Sequence, residues 1–575
     1  MSAEKNTERF NKWVTMLIAS VAIWVAITVF FQNYASNSAE QARRRAQENA
    51  IASTKEQLNG EIQFNYQFYG AYQTWSEINA QITAAQEEGD TEAEDRYKKL
   101  QERVAKVSRL LGSDYFPSDY LSPNLQHTSP DQWKYQADDY LVKYTSLNEK
   151  YIAESEFAQA TDKTADDLVV QITLLTVSLS LYGLSVTLKG KVRWLFVIIG
   201  SGIVGVCVLW LTVSLVLFAM RPDVNDAAIK AAIAAYSEGV GLAYQGESAK
   251  AIAQFDTAIA AKPDYGRAYS ERAAAYLDIY DYSSAIENYE TARKTGFDDA
   301  LTNGNLGWAY YLNGQFEKSI EASQRAMKQS DSYKIGIHAN EALAYLGMGD
   351  MSNSKKQYDA LLEETQQQVN EAHSNNTEPP AYTWYFLDAS ATDLQNLIDQ
   401  LGYGDNSIDG APPVESIPGD HEALRSFAFQ QMIRLKEANT ALEVNGQLPT
   451  AYEVMKIESF SFGQITEKDD QGFVPKFEAA PDFTFAKWTK SFTVEYRYSG
   501  PTPTQMIWKV YVNGYEYISL RKVVPSSEIC SGPICYKTFG SEYVSGFLPN
   551  GDYVVELYAD SRLVQTGTLT VKSEE

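Results

Sequence analysis

The sequence predicts a multidomain membrane protein: an α-helical membrane module, an α-solenoid of helical repeats, and a C-terminal all-β sandwich. Three observations carry this. Apolar runs at 13–31, 168–188 and 194–220 are each long enough to cross a bilayer as a helix. Between 230 and 370 the chain resembles itself at a spacing of about 34 residues, the length of a helix pair. From about residue 453 the apolar period changes from helical to two.

A chain of 575 residues is too long for one core, so about three or four domains are expected. The formal charge of −25 argues against nucleic acid and against a polybasic grip on anionic lipid. The 38 tyrosines supply aromatic mass for packed cores, which a disordered chain lacks.

Residues 1–12 form a short tail before the first run. That run, 13–31, holds nineteen residues without a charge. A cleaved signal peptide has a shorter apolar region, about 7–15 residues. Ala35-Ser36-Asn37-Ser38-Ala39 imitates a cleavage site, but the length favours an uncleaved anchor. Residues 32–167 read as a helical bundle. One helix spans 40–79, with Phe64, Phe68, Ala71, Tyr72 and Trp75 at three- and four-residue steps. The stripe reads as bundle core in preference to a ligand-sensing pocket. Gly89-Asp90 separates it from a helix over 92–111. Pro117, Pro123 and Pro130 mark a loop, and a third helix runs from about 131 into the second span. That span, 168–188, carries Gln171 and several hydroxyls able to bond back to their own helix or across to a neighbour. The third, 194–220, carries Gly200, Gly202, Gly205 and Cys207.

This module resembles an uncharacterised family of three-span bacterial membrane proteins. The resemblance rests on Phe10-Asn11-Lys12-Trp13 before the first span, Ala39-Glu40-Gln41-Ala42-Arg43 after it, and the hairpin turning at Lys189-Gly190-Lys191. It implies a layout and no chemistry. Lys and Arg near the spans divide evenly between the two sides. The dense loop Lys189-Gly190-Lys191-Val192-Arg193 breaks the tie, placing the N-terminus inside and residues 221–575 outside the cell membrane.

In the repeat region Gly239, Ala273, Gly307 and Ala342 are spaced 34, 34 and 35 apart. Leu242, Tyr276, Tyr310 and Tyr345 follow three residues later. Gly246, Gly314 and Gly349 come after a further four, with Tyr280 as the exception. Ala251 and Ala285 precede Phe255 and Tyr289, and Ala258, Ala292 and Ala326 come three further on. The pattern resembles the tetratricopeptide repeat (TPR), in units 232–265, 266–299, 300–334 and 335–369. Ser319, Ser323 and Ser354 replace the usual Ala or aromatic. The resemblance implies a superhelix whose concave face is lined from the first helix of each unit. By position that face would hold Tyr236, Tyr244, Arg267, Ser270, Asp278, Trp308 and Tyr311, and would take a protein or peptide partner. The competing reading is that the chain's own next segment fills the groove. A clamp for a terminal carboxylate is not expected, because Arg267 stands nearly alone.

Residues 371–450 read as capping helices, at 383–401 and 420–443, joined by a Gly/Pro-rich linker at 402–418. Residues 451–575 read as the sandwich. Asn513-Gly514 and Asn550-Gly551-Asp552 are its hairpin turns. The stretch Leu548-Pro549-Asn550-Gly551-Asp552-Tyr553 through Tyr558 resembles the closing strands of immunoglobulin-like modules of bacterial surface proteins. Trp488 and Trp508 read as core in preference to a carbohydrate platform. Cys530 and Cys535 flank a turn and form either a local disulfide, in an oxidising compartment, or two thiols. The four histidines, His127, His338, His373 and His421, are scattered, and no metal site is expected.

No nucleophile elbow, phosphate loop, metal motif or dinucleotide fingerprint occurs. The expectation is therefore a non-catalytic scaffold without cofactor, embedded in the membrane, with its oligomeric state open. The alternative is a membrane sensor whose domain 32–167 responds to a ligand or to envelope state.

Overall fold

A computed structural model describes residues 2–572, except 113, 116–129, 222–223, 405, 447, 449–454, 468–475, 487–488, 514, 518–519, 531–533 and 541–547. His127, Pro117, Pro123 and Trp488 lie outside the described residues. Two compact units form, Met1–Gln63 with Trp133–Tyr265, and Phe64–Gln132 with Gly266–Glu575.

In the first unit, helix α1 (Ser2–Asn65) runs through the first apolar stretch and the polar stretch after it. One helix covers what the sequence suggests as a span and a separate helix from about residue 40. The reason is local. Residues 13–59 contain neither Pro nor Gly, and the Ser38 hydroxyl donates to the Tyr34 carbonyl at 2.9 Å, keeping its polarity within the helix. Helix α4 (Gln132–Gln136) continues through a π-helical turn (Ala137–Leu141) into α5 (Val142–Thr187). Along α5 the hydroxyls of Thr173, Thr176, Ser178 and Ser180 donate to carbonyls four residues back. Gly190, at φ +83°, turns the chain into α6 (Val192–Ala219). The stretches Thr7–Gln86, Gln132–Thr187 and Val192–Ala219 are each helical, long enough and apolar enough to cross a membrane.

Phe10, Val14, Leu175, Tyr182, Val197 and Cys207 pack α1, α5 and α6 together. Tyr182 lies on Gly200, where an added Cβ would sit 3.0 Å from its ring. Its hydroxyl is 2.9 Å from the Ser201 oxygen. Ion pairs join the polar parts of α1 and α5, Arg45 with Glu154 at 2.7 Å and Arg43 with Asp162 at 2.7 Å. The helix pair α7 (Ala227–Tyr244) and α8 (Ser248–Ala261) completes this unit against α5. Gly241 allows the approach, since a Cβ there would lie 2.5 Å from the Val142 side chain.

The second unit holds α2 (Gln73–Glu88) and α3 (Thr91–Val107), preceded by a π-helical turn (Tyr66–Tyr72). The rings of Phe68, Tyr72 and Trp75 follow one another at 5.3 and 6.4 Å, and Trp75 is buried against Leu111. Three helix pairs then follow: α9 (Gly266–Asp278) with α10 (Tyr282–Lys294), α11 (Ala300–Leu312) with α12 (Phe316–Gln329), and α13 (Lys334–Gly347) with α14 (Met351–Ser374). Small residues sit where paired helices cross. Ala273 and Ala342 are fully buried, and a Cβ on Gly307 would lie 2.6 Å from the Ser323 oxygen. Gly314 and Gly349 turn the chain within their pairs at positive φ, and Tyr280 adopts the same left-handed backbone, at φ 62°. Asp281, Asp299 and Asp350 cap α10, α11 and α14 by accepting backbone N–H bonds of 3.1, 2.8 and 3.0 Å.

Helices α15 (Ala381–Tyr403) and α16 (His421–Asn445) pack on this array and on each other. The stretch between them is not a loose tether. Ile417 is buried in the helical core, and Gln400 donates to the Pro412 carbonyl at 3.2 Å. Its Gly and Pro residues shape a packed connection.

The C-terminal region is all-β. Strands β1 (Lys456–Glu467), β2 (Lys476–Ala479), β4 (Ser491–Ser499) and β8 (Cys535–Gly540) form an antiparallel sheet ordered β2-β1-β4-β8. The second sheet contains β3 (Thr484–Ala486), β5 (Gln505–Val512), β6 (Tyr515–Glu516), β7 (Lys522–Pro525), β9 (Gly551–Ala559) and β10 (Arg562–Lys572). Its order is β3-β10-β9-β5-β6, with β7 also on β5 and β3 parallel to β10. Trp508 of the second sheet is fully buried among Phe460, Tyr496 and Phe539 of the first, at 6.1, 5.2 and 5.6 Å, so it is core. Cys530 and Cys535 are joined, with their Cα atoms 5.7 Å apart.

Candidate functional site

The sequence-derived groove residues do not converge. Tyr236 is buried between Tyr265, 5.1 Å away, and Phe255, 6.0 Å away. It presents nothing to a partner, because its ring fills the space left by the small residues of α7 and α8. Tyr244 touches the chain's preceding helix but stays 38% exposed. Its ring meets Trp133 at 5.2 Å, and its hydroxyl donates to Gln136 at 3.2 Å. In the same unit the Tyr265 hydroxyl donates to Glu149 at 2.7 Å. The first helix pair is thus touched on part of its face by α4 and α5, which precede it in the chain.

Arg267 lies over the ring of Phe297 at 5.3 Å. Ser270 is hydrogen-bonded to Thr302 at 3.1 Å. Asp278 is exposed at the end of α9. Tyr311 is fully buried, a correction to its expected place on the open face: it supports the groove from beneath. Trp308 stacks on it at 5.2 Å and remains partly exposed.

A cavity of about 260 Å³ opens beside Trp308, between α11, α13 and α15. Local packing explains it. A Cβ on Gly336 would stand 2.6 Å from the ring of Phe386, so glycine lets α15 approach α13 closely at that point. Tyr385 meets Phe386 edge to face at 5.4 Å and is mostly exposed. From Phe386 the helical spacing carries Ser390 and then Asp393 along one face. Ser390 is satisfied by its own helix, donating to the Phe386 carbonyl at 2.6 Å. Asn340 donates to the Gly304 carbonyl at 3.2 Å.

Among the described residues, Asp393 is the one charged side chain lining this cavity. Burial pushes its carboxyl up to about 7. Burial, and then the charge of Asp393, raise the phenol of Tyr311; burial, then Tyr311 and then Asp393, raise that of Tyr358; both buried hydroxyls have no hydrogen-bond partner among the described residues. The arrangement offers aromatic surface, two amides and one underneutralised carboxylate. It holds no nucleophile–base pair. Among the described residues no group of three or more His, Cys, Asp or Glu could hold a metal. His338 is bonded to Gln357 at 2.8 Å and His421 to the Ile417 carbonyl at 3.0 Å.

Sequence reasoning missed Tyr385, Phe386 and Asp393 because their helix reads as a cap. The available signal was the spacing 382, 386, 390, 393, which sets an aspartate on one helical face with two aromatic rings and a serine.

Helix pairs at this period, followed by two sheets, define a protein with a tetratricopeptide-like repeat region and an all-β C-terminal region. Comparison with known proteins adds the following. No protein family and no curated protein matches the chain. Among solved structures, the MamA RS-1 ArsTM double mutant is similar at 25% identity over 27% of this chain and 83% of its own, with a TM-score of 0.23. YrrB, a TPR protein with an unusual peptide-binding site, is similar at 17% identity over 29% of this chain and 91% of its own, with a TM-score of 0.22.

Proposed function

We propose that the chain is a membrane-anchored, non-catalytic scaffold that holds a protein or peptide partner in its helical-repeat groove. Three apolar helices supply the anchor, with residues 221–575 on the extracytoplasmic side. The β region, read as an immunoglobulin-like sandwich, is a second presented surface. The observation that carries this reading is the aromatic cavity beside Trp308, an unfilled pocket among first helices of the repeats. Tyr and Trp at such positions are the residue types that concentrate binding energy. Of the groove residues, Tyr244, Trp308, Arg267, Ser270 and Asp278 remain accessible or partly so and are assigned to the partner face.

The test is photo-crosslinking from position 305 in the full membrane-embedded chain, alongside Trp308→Ala. One set of adducts lost with Trp308→Ala is the expected result. Adducts indifferent to that substitution would place the partner elsewhere. Cysteine labelling in intact cells at 375 and 190 checks the orientation: reaction at 375 before lysis, and at 190 only after it, is expected.

The sensor reading keeps one specific support, the π-helical turns at Tyr66–Tyr72 and Ala137–Leu141. Such turns often sit at functional positions.

A further inference from the structure

The cavity beside Trp308 also bears on what kind of partner it takes. At about 260 Å³ it is below the usual range of small-molecule sites, about 300–1,000 Å³, and suits one large side chain. Trp308, Tyr385 and Phe386 supply ring surface, and Asp393 supplies a carboxylate without a hydrogen bond or ion pair among the described residues. Each class of occupant can be weighed against that lining. An anionic side chain would meet Asp393 with no cation beside it. An apolar one would bury the carboxylate further without a donor, which is unfavourable for a polar group and more so for a charge. A cation replaces the missing counter-charge, and its carbon stem or planar head lies well against aromatic rings. The whole chain carries a formal charge of −25, which draws basic segments toward it.

We propose that the cavity is a receptor for one basic side chain, lysine or arginine, of the partner segment, with Asp393 as the counter-ion and Trp308 and Phe386 as the walls. This rests on the groove reading above and narrows it to a basic partner. It also gives α15 a role beyond capping, because the carboxylate comes from outside the repeats.

Selection of random heptapeptides on the full chain in lipid nanodiscs tests both readings separately. Parallel selections use wild type, Asp393→Asn, Trp308→Ala and empty nanodiscs. The expected result is peptides with Lys or Arg at one fixed position on wild type, and loss of that preference on Asp393→Asn. The best arginine peptide should then lose on the order of tenfold in affinity when its arginine becomes citrulline, which keeps the shape and removes the charge. Peptides that depend on Trp308 but show no basic preference would overturn the cation receptor and leave the groove standing. Enrichment no greater than on empty nanodiscs would overturn both. Asp393→Asn is near-isosteric, and its binding of Trp308-dependent peptides without a basic residue shows that the pocket remains folded.

Discussion

Glu341 shows what one residue costs the helical array. It stands on α13, is 4% exposed, and has no cation paired with it among the described residues. Burial raises its carboxyl to about 7. The folded state therefore binds more protons than the unfolded state between the ordinary glutamate value of 4.5 and about 7. Stability from this group is full below that window, declines as pH rises through it, and is level above. Glu341→Gln keeps the shape and removes the titration. The unfolding free energy of the detergent-solubilised variant, from urea titration, should match wild type near about pH 5 and exceed it by about 3 kcal/mol near about pH 8. An equal effect at both pH values would show that packing, not ionisation, is responsible. Tyr280 carries another local cost. Its left-handed backbone, where the turns within the other repeat pairs use Gly246, Gly314 and Gly349, is held by the pairing of α9 with α10.

At the scale of an element, α15 decides the site. Its apolar spacing was legible, and so were the small-residue positions of the helix pairs, because period and volume act locally. Which face of α15 meets α13 was not legible. That depends on Gly336, a position outside the repeat pattern, where a Cβ would collide with Phe386. Gly336→Ala should therefore cost about 1–3 kcal/mol by overpacking and push α15 outward. Hydrogen exchange in 381–403 should quicken, whereas exchange in 282–294 should not change. Unaltered exchange in 381–403 would mean that α15 is held by other contacts. The same contrast explains the groove. Tyr236, Tyr244 and Tyr311 occupy positions that the repeat pattern sends to an open face. Tyr236 and Tyr311 are consumed by packing within their own units, whereas Tyr244 meets Trp133 of α4 and stays 38% exposed. A pattern assigns a face, but only neighbours decide whether that face is free.

Across the whole molecule, the second unit joins helices to sheets through charge. Lys436 and Glu437 on α16 reach Glu556 and Arg562 of the β region at 2.5 and 2.6 Å, and Glu443 reaches Arg521 at 2.6 Å. Glu556 is almost fully buried and also accepts from the Tyr558 hydroxyl at 2.6 Å. Lys436→Met should leave that carboxylate without its cation and lower stability by about 3 kcal/mol. Adding Glu556→Leu should restore much of the loss, since an apolar pair of similar size avoids the burial of charge. Protease cleavage between α16 and β1, followed over urea, reads both. If the double variant is no better than the single, the pair does not act through buried charge.

The sequence by itself determined three things: three apolar runs, the helix-pair period, and the change to alternation near residue 453. Each follows from which residues recur at which spacing, so no distant contact is needed. The tertiary structure alone decided that α4 and α5 pack against the first helix pair, that the 402–418 stretch is packed, and that an aspartate on the capping helix lines the same cavity as Trp308. These depend on residues far apart in the chain meeting at one place, through the volume a glycine leaves and the charge a neighbour lacks. Spacing along a sequence carries no record of either.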